Sequence, residues 1–437
     1  MQLFIKTCIF TLGFLLSSTV IFAERADEQN KSSPQTLEDY SQAIRLDPDN
    51  AELYRNRGVA YKKLGQFYYA LRDFSRAIQL DPYDGVSYNN RGHTYSKLGQ
   101  FVHAIEDYDQ ALRLDPDNAG IYTNRGAAYK KLRKYLRAIE DYNHAIGLAP
   151  DYARAYNYRG IAYKNLGRYQ RAIEDYDHAI RLAPEKATAY INRGVAYKKL
   201  GQYQSAIQDY DQAIRLDPDN AGAYHNRGVA KKKLGQYHNA IKDYDQAIRL
   251  DPHNVRTFIS RGVAYKNLRQ YDLALKDYDL AILLAPKSAE AHIARGLVYK
   301  HIGRPQDAML DYDHALDLDP RNVRAYIDRA DIHRHFFQYP RAIEDYNHAI
   351  RLDPANAQAY YKRGVTHENF GHPRLAMIDF EQAINLDQNY AVAYSSRGDG
   401  HLNSGNFELA CNDFRKACEL GDCAYLKWAK KNGNCRQ

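Results

Sequence analysis

The sequence has no cysteine between Cys8 and Cys411 and, after residue 23, no apolar run long enough to cross a membrane. It also lacks the spaced motifs of common catalytic sites, such as the nucleophile elbow, the phosphate-binding loop and the HExxH zinc motif. Excess charge of one sign is small, because 61 basic and 53 acidic residues leave a net charge of +8 over 437 residues. These absences argue against an enzyme, and the modest charge does not favour a nucleic-acid binder.

Residues 1–23 predict an export signal. A lysine near the start is followed by an uncharged, mostly apolar stretch at 7–22, and Ala23 stands at the expected cleavage point. The alternative is an uncleaved membrane anchor, for which seventeen uncharged residues fall short of the roughly 20 that span a bilayer. We therefore expect an exported protein, periplasmic or extracellular, with a flexible polar lead-in at 24–33 and no integral membrane segment after signal removal.

The most regular feature of the sequence is a strict period. Proline recurs every 34 residues, without insertion or deletion, at positions 48, 82, 116, 150, 184, 218, 252, 286, 320 and 354. A period of this size is typical of stacked repeats, in which each unit contacts mainly its neighbours. The period predicts one elongated domain whose binding surface is shared by many repeats, with no inserted loop on which an enclosed site could be built.

Eleven complete repeats can be numbered with Ala51 as position 1 of the first. They are predicted at 51–84, 85–118, 119–152, 153–186, 187–220, 221–254, 255–288, 289–322, 323–356, 357–390 and 391–424. A half-repeat at 34–50 would cap the array at its N-terminal end. Residues 425–437 would form a C-terminal capping helix and tail.

Each repeat predicts two helices. In the repeat 187–220, positions 4, 8, 11 and 14 fall on one helical face, and positions 20, 24, 27 and 28 fall on another. Gly201 at position 15 separates the two helices, and the Asp-Pro pair at 217–218 ends the second. Small residues recur at positions 8, 20 and 27, and large rings recur at positions 4, 11, 17 and 24. These four columns, with Tyr40, hold 31 of the 39 tyrosines, so the excess of tyrosine is predicted to be core packing.

This alternation of small and aromatic positions resembles the tetratricopeptide repeat family over residues 51–424. The resemblance implies an all-α fold, an α-solenoid in which antiparallel helix pairs form a right-handed superhelix. It also implies that the first helices line a concave groove that binds peptides or extended protein segments. The sequence departs from the family pattern where arginine replaces the usual large apolar residue at position 7, and where Lys231 interrupts the aromatic column at position 11.

Arginine at position 7 and aspartate at position 23 both occur in all eleven repeats. The arginines run from Arg57 to Arg397 and the aspartates from Asp73 to Asp413. Opposite charges repeated in register predict a ladder of ion pairs between the two helices of each repeat. We interpret the ladder as structural, because the paired charges cancel.

The open face of the first helix carries recurrent lysines and asparagines at positions 6, 12 and 13. The predicted partner-binding residues are Asn56, Lys62, Lys63, Asn90, Lys97, Asn124, Lys130, Lys131, Lys164, Asn192, Lys198, Lys199, Asn226, Lys232, Lys233, Lys266 and Lys300. With the family geometry they would form a basic, amide-lined stripe along the groove, whereas the last three repeats bring in Asp331, Glu368 and Asp399. The alternative is a solvated lysine-rich face with no binding role. The carboxylate clamp of some family members matches here only at the position-6 asparagines.

Four cysteines lie close to the C-terminus, and an even number in an exported chain favours disulfides. Cys411 and Cys418 stand on one predicted helix, about 10.5 Å apart along its axis, which is too far for a bond between them. If the chain folds back after Gly421, Cys418 would pair with Cys423 and Cys411 with Cys435. A zinc site is the alternative, although the closely spaced CxxC pairs of most zinc sites are absent.

The sequence thus predicts a non-enzymatic scaffold, without catalytic residues, metal or cofactor, that binds extended or acidic segments of other proteins in a basic groove. Two alternatives stay open. One is a binder of anionic polymers, either envelope polysaccharide or, less favoured, nucleic acid. The other is an accessory subunit of an envelope enzyme complex.

Overall fold

The computed structural model describes residues 36–435, and every regular element in that range is an α-helix. Each predicted repeat contains a helix A of thirteen residues, a short turn and a helix B of thirteen or fourteen residues. The helices A are Ala51–Lys63, Gly85–Lys97, Ala119–Lys131, Ala153–Asn165, Ala187–Lys199, Ala221–Lys233, Val255–Asn267, Ala289–His301, Val323–His335, Ala357–Asn369 and Ala391–Asn403.

The helices B complete the pairs. They are Phe67–Leu80, Phe101–Leu114, Tyr135–Leu148, Tyr169–Leu182, Tyr203–Leu216, Tyr237–Leu250, Tyr271–Leu284, Pro305–Leu318, Tyr339–Leu352, Pro373–Leu386 and Phe407–Glu419. Helix Leu37–Leu46 precedes the first pair and helix Ala424–Lys431 follows the last. The all-α fold of tandem helix pairs that the sequence predicts is confirmed.

Contacts group the chain into two compact units, the first ending at Gln202 and the second beginning at Tyr203. The period predicts one elongated domain, whereas the contacts divide the array. In stacked repeats each helix contacts mainly its neighbours along the chain. Unit 1 comprises the described residues 36–202, and unit 2 comprises the described residues 203–435.

Helices A and B meet where a glycine faces an aromatic ring. A Cβ atom added to Gly126 at position 8 would lie 2.7 Å from a ring carbon of Tyr142 at position 24, so no larger side chain fits there. Tyr142 is fully buried, as are Ala138 and Ala145 at positions 20 and 27. The same close approach recurs in repeats 1, 4 and 11. The predicted packing of small residues against rings is confirmed, and the rings at positions 4, 11 and 17 mostly lie half-buried at its margin.

Side chains at position 34 cap the following helix A in most repeats. Asn118 Oδ1 accepts a hydrogen bond from the backbone N–H of Ile121 at 3.2 Å, and Asn220 Oδ1 accepts one from Ala223 at 3.0 Å. Each cap satisfies a donor that the first turn of a helix leaves unpaired. The segment after each repeating proline therefore leads directly into the next helix.

The turn between helices A and B requires left-handed backbone at position 15. Glycine supplies it in most repeats, with φ of 76° at Gly201 and 75° at Gly235. Arg133, Arg269 and Phe337 adopt the same conformation with φ of 60°, 58° and 59°. A Cβ atom disfavours this region by roughly 1–2 kcal/mol, so these three turns carry local strain.

The C-terminal helix is tied to repeat 11 by cysteines. Cys411 is bonded to Cys435, with Cα atoms 5.6 Å apart, and Cys418 is bonded to Cys423, with Cα atoms 4.0 Å apart. This is the pairing that a fold-back after Gly421 predicts. Cys411 and Cys435 are also buried, so this closure contributes to the last apolar cluster of unit 2.

The predicted signal at 1–23 and lead-in at 24–33 lie outside the described residues. Within residues 36–435, none of the helices combines the length and the hydropathy that crossing a bilayer requires.

Arg269→Gly is expected to raise the free energy of unfolding by about 1 kcal/mol, because Arg269 is exposed and its turn needs positive φ. The matched change Gly235→Ala, at the same position of the preceding repeat, should lower it by a similar amount. Urea denaturation measures both. A lower stability for Arg269→Gly would contradict strain at this turn.

Candidate functional site

The arginine ladder consists of ion pairs within the protein. In repeat 3, Arg125 donates from Nε and Nη2 to the carboxylate of Asp141, with the closest contact at 2.6 Å. Its Nη1 donates to Asp109 at 2.6 Å, on helix B of the preceding repeat. Burial lowers the pKa of Arg125, but hydrogen bonds to Asp141 and Asp109 outweigh it and raise the pKa above its usual value. The predicted ladder is confirmed in this repeat, and Arg125 also joins repeat 3 to repeat 2.

The same bridge recurs along both units. Position 7 binds the position-23 aspartate of its own repeat in the pairs Arg57–Asp73, Arg91–Asp107, Arg159–Asp175, Arg227–Asp243, Arg261–Asp277, Arg295–Asp311, Arg329–Asp345, Arg363–Asp379 and Arg397–Asp413. The second acceptor, at position 25 of the preceding repeat, was missed from the sequence. Position 25 is Ser, Asp, Asn or Glu in every one of the first ten repeats, and this recurrent acceptor was the available signal.

Lys231, which interrupts the aromatic column at position 11, joins this framework. Its Nζ lies 2.9 Å from Oδ2 of Asp243, the carboxylate that also binds Arg227. A buried aspartate that accepts from two cations is fully compensated. Lys231 therefore replaces the ring of other repeats with an ion pair to helix B of its own repeat.

The predicted lysines separate into two classes. All the position-12 lysines (62, 130, 164, 198, 232, 266 and 300) are half-buried, whereas all the position-13 lysines (63, 97, 131, 199 and 233) are exposed. The five predicted asparagines at position 6 are half-buried. We call the surface formed by positions 2, 5, 6, 9 and 12 of the helices A the helix A face. The half-buried lysines lie within it, and the position-13 lysines stand at its edge.

Polar contacts connect the helices A of unit 1 across this face. Lys62 Nζ donates to Asn90 Oδ1 at 2.6 Å. Asn124 and Asn192 each donate to the position-5 asparagine of the preceding repeat, at 3.2 and 3.1 Å. Four of the predicted binding residues are therefore brought into one amide-lined surface.

Lys130 lies at the centre of the positive charge of unit 1. Its Nζ stands 4.5 Å from the ring centre of Tyr158. Burial lowers the pKa of Lys130 to about 8, and repulsion from Lys131, Lys164 and Arg154 adds to the shift. Burial also lowers the pKa values of Lys62 and Lys164.

Arg154 extends this positive region towards repeat 2. Burial lowers the pKa of His93, and Lys62, Lys97 and Arg154 lower it further. Arg154 was missed from the sequence because arginine does not recur at position 2 in neighbouring repeats of unit 1. Cations from repeats 1 to 4 thus converge on one part of the helix A face.

In unit 2 the corresponding cations face carboxylates. Lys300 Nζ lies 2.9 Å from Oδ2 of Asp331, and Lys362 Nζ lies 2.6 Å from the same atom. Burial raises the pKa of Asp331, but Lys362 and Lys300 outweigh it and hold the pKa below the usual value. Tyr346 also donates its hydroxyl to Asp331 at 2.8 Å. Lys300, a predicted binding residue, is therefore engaged within the protein.

Lys266 and Lys232 lie in the same mixed environment. Burial lowers the pKa of both lysines, whereas Asp328 opposes the shift at Lys266 and Glu290 opposes it at Lys232. Asp328 is itself paired with Arg324. The helix A face of unit 2 carries charges of both signs.

A cavity of about 690 Å³ opens on the helix A face of unit 1 between repeats 4 and 5. Its lining includes Tyr152, Arg154, Asn157, Tyr158, Ile161 and Asn192. Pockets of this size take small ligands or single side chains of a partner. Apart from Asn192, the sequence did not single out these residues, because the cavity forms where two non-identical repeats meet.

Family models for tetratricopeptide repeats match this chain at 24–89, 74–106, 92–132, 119–152, 153–186, 175–208, 196–235, 221–254, 255–288, 289–322, 338–371 and 357–390. Together these matches cover most of the chain. The chain belongs to the tetratricopeptide repeat family. Proteins of this family are typically scaffolds for protein–protein interaction and not enzymes.

Solved structures of other tetratricopeptide repeat proteins resemble this chain. Yeast Tom70 is 16% identical over 88% of this chain and 94% of its own, with a TM-score of 0.47. A tetratricopeptide repeat protein of Parabacteroides merdae is 25% identical over 55% and 95%, with a TM-score of 0.45. YrrB, described as having an unusual peptide-binding site, is 24% identical over 43% and 96%, with a TM-score of 0.37. Among curated proteins, none matches the sequence.

Lys130 of this tetratricopeptide repeat protein is expected to titrate near pH 8, because burial and three neighbouring cations disfavour its protonated form. NMR of the reductively ¹³C-methylated protein measures the titration. Arg154→Gln should move the pKa of Lys130 upwards by removing one repulsive charge. A Lys130 resonance that titrates with the exposed lysines would contradict the proposed environment.

Proposed function

We propose that this protein is a non-catalytic scaffold that binds extended, acidic segments of other proteins on the helix A face of unit 1. The proposal narrows the general role of the family to one surface and one ligand charge. It is supported by the state of the position-12 lysines. Within residues 36–202, no ion pair joins Lys62, Lys130 or Lys164 to a carboxylate of the protein, although all three are half-buried.

Half-buried ammonium groups without a carboxylate are costly to the isolated protein. Burial removes part of the hydration of these ammonium groups, and Lys130 is also repelled by the neighbouring cations Lys131, Lys164 and Arg154. A bound carboxylate would supply the missing charge, and attraction between a positive face and an acidic chain would accelerate association. The asparagines beside the lysines provide donors and acceptors for a peptide backbone.

Unit 2 supports the same conclusion by contrast. There, Asp331 and Asp328 already occupy the positions that a ligand carboxylate would take beside Lys300. Lys300 of unit 2 is therefore compensated by carboxylates of the protein, whereas among the described residues Lys62, Lys130 and Lys164 of unit 1 are not. We therefore place the acidic ligand on unit 1.

The double charge reversal Lys130→Glu with Lys164→Glu is expected to weaken binding of a glutamate-rich peptide by at least about tenfold, equal to about 1.4 kcal/mol. Fluorescence anisotropy with the labelled peptide measures the affinity. The control is Lys134→Glu with Arg181→Glu, which makes the same charge change at exposed residues outside the helix A face and should retain the affinity within about twofold.

Equal affinities of the two double variants would mean that net charge, not this surface, holds the peptide. The same measurement tests the polymer alternative. Tighter binding of a sulfated polysaccharide than of the peptide, falling steeply with salt, would favour an anionic-polymer binder.

We also propose that the protein is exported to the periplasm or the cell exterior and that residues 1–23 are removed. The cysteine pairs Cys411–Cys435 and Cys418–Cys423 support an oxidising compartment, because intracellular thiols are normally kept reduced.

Mass spectrometry of the protein from its native envelope fraction is expected to show an N-terminus at Glu24 and no free thiol among the four C-terminal cysteines. Cys411→Ser with Cys435→Ser should lower the thermal stability of the C-terminal end, since the bond closes a loop of about 24 residues. Intact residues 1–23 together with four free thiols would contradict export.

A further inference from the structure

We propose that the cavity between repeats 4 and 5 binds an aromatic side chain of the partner segment. The residues on either side of that aromatic residue in the partner carry carboxylates. The inference rests on the proposed function and gives the acidic segment a second requirement, an aromatic residue within it.

The cavity has the size and walls for a ring. Its volume is about 690 Å³, and Ile161, Tyr158 and the aliphatic surfaces of Ala153 and Ala189 lie along it. An aromatic side chain buries about 150–250 Å² and adds stacking with neighbouring rings, so it gains more from such a cavity than an aliphatic side chain does.

Cations stand directly beside these apolar walls. Tyr158 lines the cavity, and Lys130 Nζ lies 4.5 Å from the centre of its ring. Arg154 lines the cavity as well; burial lowers its pKa, but its interactions with Tyr158 and Tyr152 outweigh burial and raise the pKa. Successive residues of an extended chain are about 3.3 Å apart, so a carboxylate next to the aromatic residue would reach these cations.

Polar groups next to the cavity suit a main chain. Asn192 donates to Asn157 at 3.1 Å, and both line the cavity. Each amide keeps hydrogen-bonding capacity beyond this one bond. A peptide backbone that crosses the rim could therefore be bound while its ring is inserted.

A cavity on the helix A face of unit 2 differs in charge from the cavity of unit 1. A cavity of about 530 Å³ on its helix A face is lined by Glu290 and Asp328 as well as by Lys266 and Arg324. Carboxylates at the rim would repel an acidic segment. Charge complementarity thus assigns the acidic, aromatic segment to the cavity of unit 1.

The test uses two acetylated and amidated peptides, one with a single tryptophan between glutamates and one with alanine in its place. The wild-type protein should bind the tryptophan peptide at least about tenfold more tightly. Tryptophan emission of the peptide, corrected for Trp428 of the protein, should shift to shorter wavelength on binding.

Thr188→Trp places a ring from the protein itself at the cavity, because Thr188 lines it and is exposed. This variant should lose the preference for the tryptophan peptide and retain the affinity for the alanine peptide. Val102→Trp is the matched control, since Val102 lies on helix B of repeat 2, outside the helix A face, and is 57% exposed. It should keep the full preference. Circular dichroism verifies that both variants are folded.

Equal wild-type affinities for the two peptides, or a preference that survives Thr188→Trp, would overturn the aromatic requirement while leaving acidic binding intact. Failure of both peptides to bind would instead overturn the proposed function itself. Since both peptides are amidated, binding also shows that internal carboxylates suffice and that a free C-terminus is not needed.

Discussion

The half-buried arginine at position 7 makes the interactions on which the rest of the structure depends. Arg125 is held by Asp141 on helix B of its own repeat and by Asp109 on helix B of the preceding repeat. One guanidinium therefore fixes both the helix pair and the joint between repeats. Because Asp141 is almost fully buried, removing Arg125 would leave the carboxylate of Asp141 uncompensated in the core. The ladder thus specifies how repeats stack, and an aspartate of the protein neutralises the position-7 arginine.

The two units differ in charge at position 12 of their helices A. The lysines there look equivalent in the sequence, yet Lys130 lies among other cations and Lys300 lies between Asp328 and Asp331. The net charge of the chain, +8, does not reveal this difference, because it sums the charges of both units. One repeated scaffold can therefore present surfaces of different charge without any change of fold. Such divergence within an array lets a single chain distinguish among partners.

The fold was largely predictable, and the reasons are local. The small residue at position 8, glycine in every repeat but the ninth, stands sixteen residues before the ring at position 24, so each repeat contains both halves of its own core contact. Gly201 marked the turn because left-handed backbone disfavours a Cβ atom. The arginine–aspartate pair was predictable for the same reason, but its second acceptor lies in the preceding repeat. The cavity residues Arg154 and Tyr158 were missed because neither residue type recurs at its position in the other repeats of unit 1.

By itself the sequence determined the repeat length, the helix pairs, the small residues against rings and the arginine ladder within a repeat. Each of these needs only contacts between residues of one 34-residue unit. Only the tertiary structure decided which lysines are compensated, where a cavity opens and where the contacts divide the chain. Those properties depend on partners 28 to 35 residues away, such as Asn90 for Lys62 and Asp331 for Lys300. Charge and shape on the helix A face are set by contacts between neighbouring helices. The 34-residue period does not predict how one repeat differs from the next.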